Sequence, residues 1–175
     1  KRGLHGVELI TSDDHHGLKE AMKAVLTGVS WNRCHVHLQR NAVAYIPKVA
    51  MRKEVAEDIR QIFNAKDVHK AKALLDETID KYRKSASKLA DWLEENIPDG
   101  FAIMTYPSRI RRLLRTTNML ERLNKEIKRR TKVVMVFPNE RSITRLVSAL
   151  LMEVSQDWES DKVYVRLDEG HEAYE

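Results

Sequence analysis

Val7-Glu8-Leu9-Ile10-Thr11-Ser12-Asp13-Asp14-His15-His16-Gly17 is a short β-prone run that stops abruptly in a polar cluster. It reads as a strand entering a loop with turn chemistry. Leu18, Ala21, Met22 and Val25 then recur at helical spacing, and Gly28 closes that helix. From Ser30 to His37 the period becomes two: Cys34, Val36 and Leu38 alternate with Arg33, His35 and His37, which predicts a second strand with one face inward. Strand, helix, strand in this order predicts an α/β core with parallel pairing.

Beyond Pro47 the strand signal disappears for about sixty residues. Val55, Ile59, Ile62 and Phe63 form one helical stripe. Ala71, Leu74, Leu75, Ile79 and Tyr82 form a second after the predicted cap Asp67, and Leu89, Trp92 and Leu93 continue it. Pro98-Asp99-Gly100 marks the far side of this block. Val133 to Phe137 reads as a brief extended piece. Pro138-Asn139 then introduces a helix with Ile143, Leu146, Val147, Leu150, Leu151, Val154 and Trp158 on one side. The expected organisation is an α/β core over residues 1–46, an all-helical insertion over 47–106, further core helices over 107–160 and a tail over 161–175. The whole is mostly helical.

The chain has 175 residues, 42% of them hydrophobic, enough to build a buried interior. No apolar run approaches the roughly 20 residues that span a bilayer, so no transmembrane helix is expected. The opening Lys1-Arg2-Gly3-Leu4 has neither an initiating Met nor an apolar leader, which suggests a fragment. A single cysteine, Cys34, excludes an internal disulfide and fits a reducing compartment such as the cytoplasm. The net charge of +5 is local. Arg109 to Lys132 holds ten Lys or Arg against Glu121 and Glu126, a segment of +8 in a chain whose other 151 residues sum to −3. Such a concentrated stripe suits a polyphosphate backbone, because each cation placed on a phosphate releases counterions.

Asp13 falls at the carboxyl end of a predicted parallel strand, where open α/β sheets place ligands and catalytic groups. Asp13 or Asp14 also suits the cap of the following helix, and the two roles are compatible. Asn118-x-x-Glu121 matches a capping box, which makes Glu121 a helix-start residue. On the same helix Leu120, Leu123 and Ile127 form an apolar stripe, while Glu121, Asn124, Lys125 and Lys128 share the adjoining polar one. A carboxylate among cations there can face water or a metal-bound phosphate.

Cys34-x-x-His37 has metal-ligand spacing, but a structural zinc site needs four ligands and the chain has one cysteine. On an ideal strand Cys34 and His37 also point to opposite faces, so a buried Cys with supporting histidines is the simpler reading. Trp31 and Trp92 are either core residues or platforms for an exposed base. No G-x-x-x-x-G-K-[ST] loop, G-x-G-x-x-G fingerprint or H-E-x-x-H motif occurs. Nucleotide hydrolases, dehydrogenases and zincins therefore lose their usual support.

Four separated groups occur in fixed order: Ser12-Asp13-Asp14-His15-His16-Gly17-Leu18; Trp31-x-x-Cys34-x-x-His37; Thr117-Asn118-x-x-Glu121-Arg122-x-Asn124-x-x-Ile127-Lys128-Arg129-Arg130-Thr131; and Phe137-Pro138-Asn139. Over roughly Gly3 to Val165 the chain resembles the catalytic half of prokaryotic insertion-sequence transposases of the Mutator-like superfamily. The resemblance implies an RNase H-like fold with an Asp-Asp-Glu triad and an all-helical insertion ahead of the Glu-bearing helix. It implies that Asp13 is the second acid and Glu121 the third, 108 positions later. Cys34 and His37 would be a supporting C-x-x-H element, with Asn118 and Asn124 as further supporting residues. The first acid and its strands are expected upstream of Lys1, so the chain reads as a fragment that does not cleave DNA alone.

In the complete enzyme the resemblance implies three carboxylates, two Mg²⁺ (or Mn²⁺) ions and in-line phosphoryl transfer on DNA. Arg122, Lys125, Lys128, Arg129 and Arg130 are the expected DNA contacts. Transposon ends and target are the expected DNA partners, and assembly on DNA as a homo-oligomer is expected. The rival readings are a non-catalytic nucleic-acid-binding module, an inactive truncated remnant, and a helical interaction protein.

Overall fold

The structure, a computed structural model, describes residues 5–160; the expected tail 161–175 lies outside the described residues. Strand β1 (Leu9–Ser12) pairs in parallel with β2 (Ser30–Arg33), in a register that sets Leu9 opposite Ser30 and Ser12 opposite Arg33. Parallel neighbours need a crossover, which helix α1 (His16–Val25) supplies. The turn back into β2 passes through Gly28 at φ 83°, a left-handed conformation that glycine adopts without a Cβ penalty. Neither aspartate caps α1. The cap residue is His15, whose Nδ1 accepts from the Leu18 amide at 3.3 Å.

The second strand is shorter than its alternation predicts. It ends at Arg33, and helix α2 (His35–Ala42) begins after Cys34. Period two over five residues is also compatible with a helix start, and the residues that become buried, His35, Leu38 and Ala42, follow the helical i, i+3, i+7 spacing instead. Cys34 and His37 consequently do not lie on opposite faces of a strand. They sit three residues apart at the first turn of a helix.

All elements from Val49 to Thr105 are helical: a 3-10 turn (Val49–Met51), α3 (Arg52–Phe63), α4 (Val68–Arg83), α5 (Ser87–Asn96) and two further 3-10 turns (Ile97–Gly100 and Ala102–Thr105). The predicted cap holds, with Asp67 Oδ1 accepting from the Lys70 amide at 2.9 Å. The predicted stripes are buried against one another: Val55, Ile59, Ile62 and Phe63 from α3, Ala71, Leu75, Ile79 and Tyr82 from α4, and Leu89, Ala90, Trp92 and Leu93 from α5. Leu38 and Ala42 of α2 join the same cluster. Trp92 is thus a core residue. Asp58 ties α3 to α4 by accepting from Tyr82 Oη at 2.6 Å and Lys81 Nζ at 2.7 Å. Helix α6 (Ser108–Leu114) follows, and its end is fastened to β1 and α2: Thr11 Oγ1 donates to the Leu114 carbonyl at 2.6 Å, and the His35 amide to that of Arg115 at 3.0 Å.

The described residues up to Thr117 form one compact unit and those from Asn118 a second. The described part of the second comprises α7 (Asn118–Val134) and α8 (Glu140–Ser160), which pack on each other. Val133 and Val134, expected to be extended, prolong α7; the chain leaves the helix at Met135, whose φ is 58°. Asn139 opens α8, its Oδ1 accepting from the Ser142 amide at 3.0 Å. Of the expected apolar side of α8, Leu150 is buried, Ile143, Leu146, Val147 and Val154 are half-buried, and Leu151 and Trp158 are exposed.

Candidate active site and nucleic-acid interface

The carboxyl ends of β1 and β2 carry the first group of candidate residues. The Cys34 amide donates to the Ser12 carbonyl at 2.7 Å, extending the ladder one step and bringing the backbone of Asp13 and Cys34 together at the sheet end. Ser12 Oγ accepts from Trp31 Nε1 at 2.8 Å and donates to the Asp13 carbonyl at 2.8 Å. That chain of bonds fixes the backbone at Asp13, while its side chain is exposed and engages no other described residue.

Asp14 is in the opposite situation. It forms ion pairs with Lys19 and, at 3.2 Å, with Arg33 Nη1. The Lys19 hydrogen bond, with help from Arg33, holds its carboxyl below the usual carboxylate range. Arg33 is only 4% exposed and reaches across the fold. Its Nη1 also donates to Asn96 Oδ1 at 2.7 Å and lies 3.6 Å from Asp99 Oδ2. Burial lifts Asp99 above the usual range, against the pull of Lys19 and Arg33. Lys19 Nζ also sits 4.2 Å from the Trp31 ring centroid. Trp31 is therefore occupied on one face by a cation and at its indole N–H by Ser12, which removes it as a free base platform.

Behind this surface the side chains are buried and structural. Cys34 is fully buried and accepts from Thr117 Oγ1 at 3.6 Å. His35 Nε2 donates to the Gly100 carbonyl at 2.9 Å, and its ring stacks on Phe63 at 3.7 Å. Burial pushes its pKa down to about 4, so the ring is neutral with the proton on Nε2. A Cβ on Gly100 would stand 2.7 Å from Phe63 Cε1 and 3.1 Å from His35 Nε2, which explains the glycine. His37 lies half-buried in the first turn of α2. Among the described residues no three His, Cys, Asp or Glu side chains converge as a metal-binding group.

The basic stripe divides into three parts. Arg111 is a fastener: its Nε donates to the Tyr106 carbonyl at 2.7 Å, Nη1 to that of Lys66 at 2.9 Å and Nη2 to that of Met104 at 3.0 Å. Arg115 Nη1 likewise donates to Asn64 Oδ1 at 2.9 Å. Within α7, Arg129 grips Glu126 through two bonds of 2.8 and 2.6 Å, and Arg130 Nε adds a third at 2.9 Å. The bonds from Arg129 and Arg130 bring the Glu126 pKa down to about 2. Arg109, Arg112, Arg122, Lys125, Lys128 and Lys132 are exposed and engage no described side chain. Arg129 and Arg130, expected as DNA contacts, share one carboxylate and offer less net charge than their number suggests. Glu121 is half-buried on α7 and Asn124 exposed. Asn118 is the first residue of the helix, so the Asn118–Glu121 pair falls one position inside the capping-box register.

Sequence reasoning missed Arg33, Arg111 and Gly100. The partners of Arg33 and Gly100 and the Lys66 carbonyl that holds Arg111 lie far away in the chain, and no residue type beside Arg33 or Arg111 separates them from the other cations.

A sequence profile described as "Transposase, Mutator family" matches residues 1–161. The chain is similar to the transposase for insertion sequence element IS406 of Burkholderia multivorans, 49% identical over 164 residues, covering 94% of this chain and 42% of the relative. It is 39% identical over 171 residues to the transposase for insertion sequence element ISRM5 of Rhizobium meliloti, covering 98% and 43%. It is 38% identical over 175 residues to that for IS256 in transposon Tn4001 of Staphylococcus aureus, covering 96% and 43%. The chain spans about two fifths of the length of these relatives.

Proposed function

This chain belongs to the Mutator family of transposases, and from that premise we propose that it contributes Asp13 and Glu121 to a metal-dependent site for DNA strand cleavage and strand transfer in the intact transposase. The observation that carries the reading is the contrast between two adjacent acids. Asp13, at the end of a parallel strand, keeps an exposed carboxylate with no cation committed to it, whereas Asp14 is consumed by Lys19 and Arg33. On this reading residues 1–46 and 107–160 belong to an RNase H-like core interrupted by the helical insertion 47–106.

Asp13 and Glu121 offer hard oxygen donors suited to Mg²⁺ or Mn²⁺. When bound, two such ions would neutralise phosphoryl charge and lower the pKa of an attacking water or 3′-hydroxyl. The chain's own contribution is positioning. Ser12 and Trp31 fix the backbone at Asp13, Arg33 and Lys19 keep Asp14 from competing, and Arg122, Lys125 and Lys128 hold transposon-end or target DNA. Cys34, His37, Asn118 and Asn124 are assigned supporting roles. Action as a DNA-bound homo-oligomer in the bacterial cytoplasm completes the proposal.

The test is donor cleavage by the intact transposase on a transposon-end duplex. Asp13→Asn and Glu121→Gln are expected to lose cleavage while keeping DNA binding, and Asp14→Asn to keep measurable cleavage. If Asp13→Asn and Glu121→Gln cleave like the wild type, the non-catalytic DNA-binding reading replaces this one.

A further inference from the structure

The first unit carries a second concentration of positive charge, outside the stripe from Arg109 to Lys132. Between Ala21 and Lys53 there are six Lys or Arg and no acid. Four of the six, Arg40, Lys48, Arg52 and Lys53, fall within 14 residues that run from the end of α2, through the 3-10 turns Val43–Tyr45 and Val49–Met51, into α3. All four are exposed, and none engages another described side chain.

Nearby acids do not balance them: Glu54 is held by Lys81 at 2.9 Å and Glu57 by Arg60 at 2.7 Å. Arg52 and Lys53 also occupy the first turn of α3, the end of a helix where the backbone dipole disfavours cations.

Along the chain an aromatic residue, Tyr45, lies between Arg40 and Lys48. Tyr45 stacks on Trp92 with ring centroids 5.5 Å apart and planes 25° from parallel. Trp92 is 6% exposed and locked in the helical core, whereas Tyr45 keeps 42% of its surface exposed. The stacking residue at this place is therefore Tyr45, with Trp92 as its backing.

We propose that this surface is a second nucleic-acid contact that takes single-stranded DNA, with Arg40, Lys48, Arg52 and Lys53 along the phosphates and one unstacked base on Tyr45. A backed, half-open ring favours a single strand because bases in a duplex are already stacked and present no free face. The proposal rests on the DNA reading above for the identity of the polyanion, but not on Asp13, Glu121 or α7.

The experiment titrates the whole chain against fluorescein-labelled oligothymidine and against a duplex of equal length, by anisotropy over a range of salt. Tyr45→Ala is expected to weaken single-strand binding about 10-fold and Tyr45→Phe to preserve it, with duplex binding unchanged. The combined change Lys48→Gln, Arg52→Gln, Lys53→Gln is expected to reduce the single-strand salt slope by about 2. Melting curves of each variant check that the fold is retained. No binding of oligothymidine by the wild type, equal losses on both oligonucleotides for Tyr45→Ala, or an unaltered slope in the triple variant overturns the proposal. Lys125→Gln with Lys128→Gln, measured in parallel on the duplex, reports separately on α7, so failure of that reading is distinguishable from failure of this one.

Discussion

His35 makes stability depend on pH between its ordinary and its buried pKa. The ring is 3% exposed, stacked on Phe63, and donates from Nε2 to the Gly100 carbonyl. Its Nδ1 is buried without a partner, so a second proton would introduce a charge with nothing to receive it. Burial depresses its pKa from 6.5 to about 4. Between those values the unfolded chain binds the proton and the folded chain does not. The His35 contribution is therefore fully present above pH 6.5 and is lost as pH falls towards 4. At 1.36 kcal/mol per pKa unit, the loss reaches about 2 kcal/mol at pH 5 and about 3 kcal/mol near pH 4.

Urea unfolding of the wild type and of His35→Gln at pH 7, 6, 5 and 4.5 reads this directly, because carboxylates common to both proteins cancel in the difference. His35→Gln is expected to be less stable than the wild type at pH 7 and to close most of that gap by pH 4.5. If Gln prevents folding, the wild-type imidazole resonances followed by NMR give the same pKa. A gap that stays constant across the series, or a His35 midpoint near 6.5, refutes the reasoning.

Other consequences follow from the same contacts. Gly100→Ala drives a methyl into Phe63 and His35 and is expected to cost about 2–3 kcal/mol by overpacking, read as a lowered urea midpoint with an unchanged slope. Arg111→Lys loses the planar fork that reaches four carbonyls and is expected to destabilise the first unit by about 2 kcal/mol, measurable by calorimetry. Glu126→Gln releases Arg129 and Arg130 and is expected to tighten duplex DNA binding and steepen its salt dependence by about 1–2 in log–log slope. Unchanged binding in that variant would show that these arginines do not reach DNA.

Much of the fold was legible because it is local. The stripes of α3, α4 and α5 bury against one another, so their 3.6-residue period is also the period of the core. Strand β1 and its loop were readable for the same reason. The stretch after Arg33 was not, because three alternating apolar residues satisfy strand and helix alike until His35 and Leu38 find their core partners.

At the candidate site, sequence could propose Asp13 over Asp14 only by resemblance. What separates them physically is that Lys19 and Arg33 both claim Asp14, and Arg33 is held there by Asn96, 63 residues away, and Asp99. Charge counting had the same limit: ten cations in a row look equivalent until Tyr106, Lys66 and Met104 claim Arg111, and Glu126 claims Arg129 and Arg130. The cations beside Tyr45 were equally invisible as a surface, since only the stack on Trp92 marks them out.

The most direct test of the central claim, that Asp13 and not Asp14 supplies a metal ligand, is metal-switched cleavage by the intact transposase carrying Asp13→Cys. A thiolate is a poor partner for Mg²⁺ and a better one for the softer Mn²⁺. Cleavage is predicted to be lost in Mg²⁺ and recovered in Mn²⁺ for Asp13→Cys, while Asp14→Cys shows no such dependence on the ion. Equal cleavage by Asp13→Cys in both ions, or rescue confined to Asp14→Cys, would contradict it.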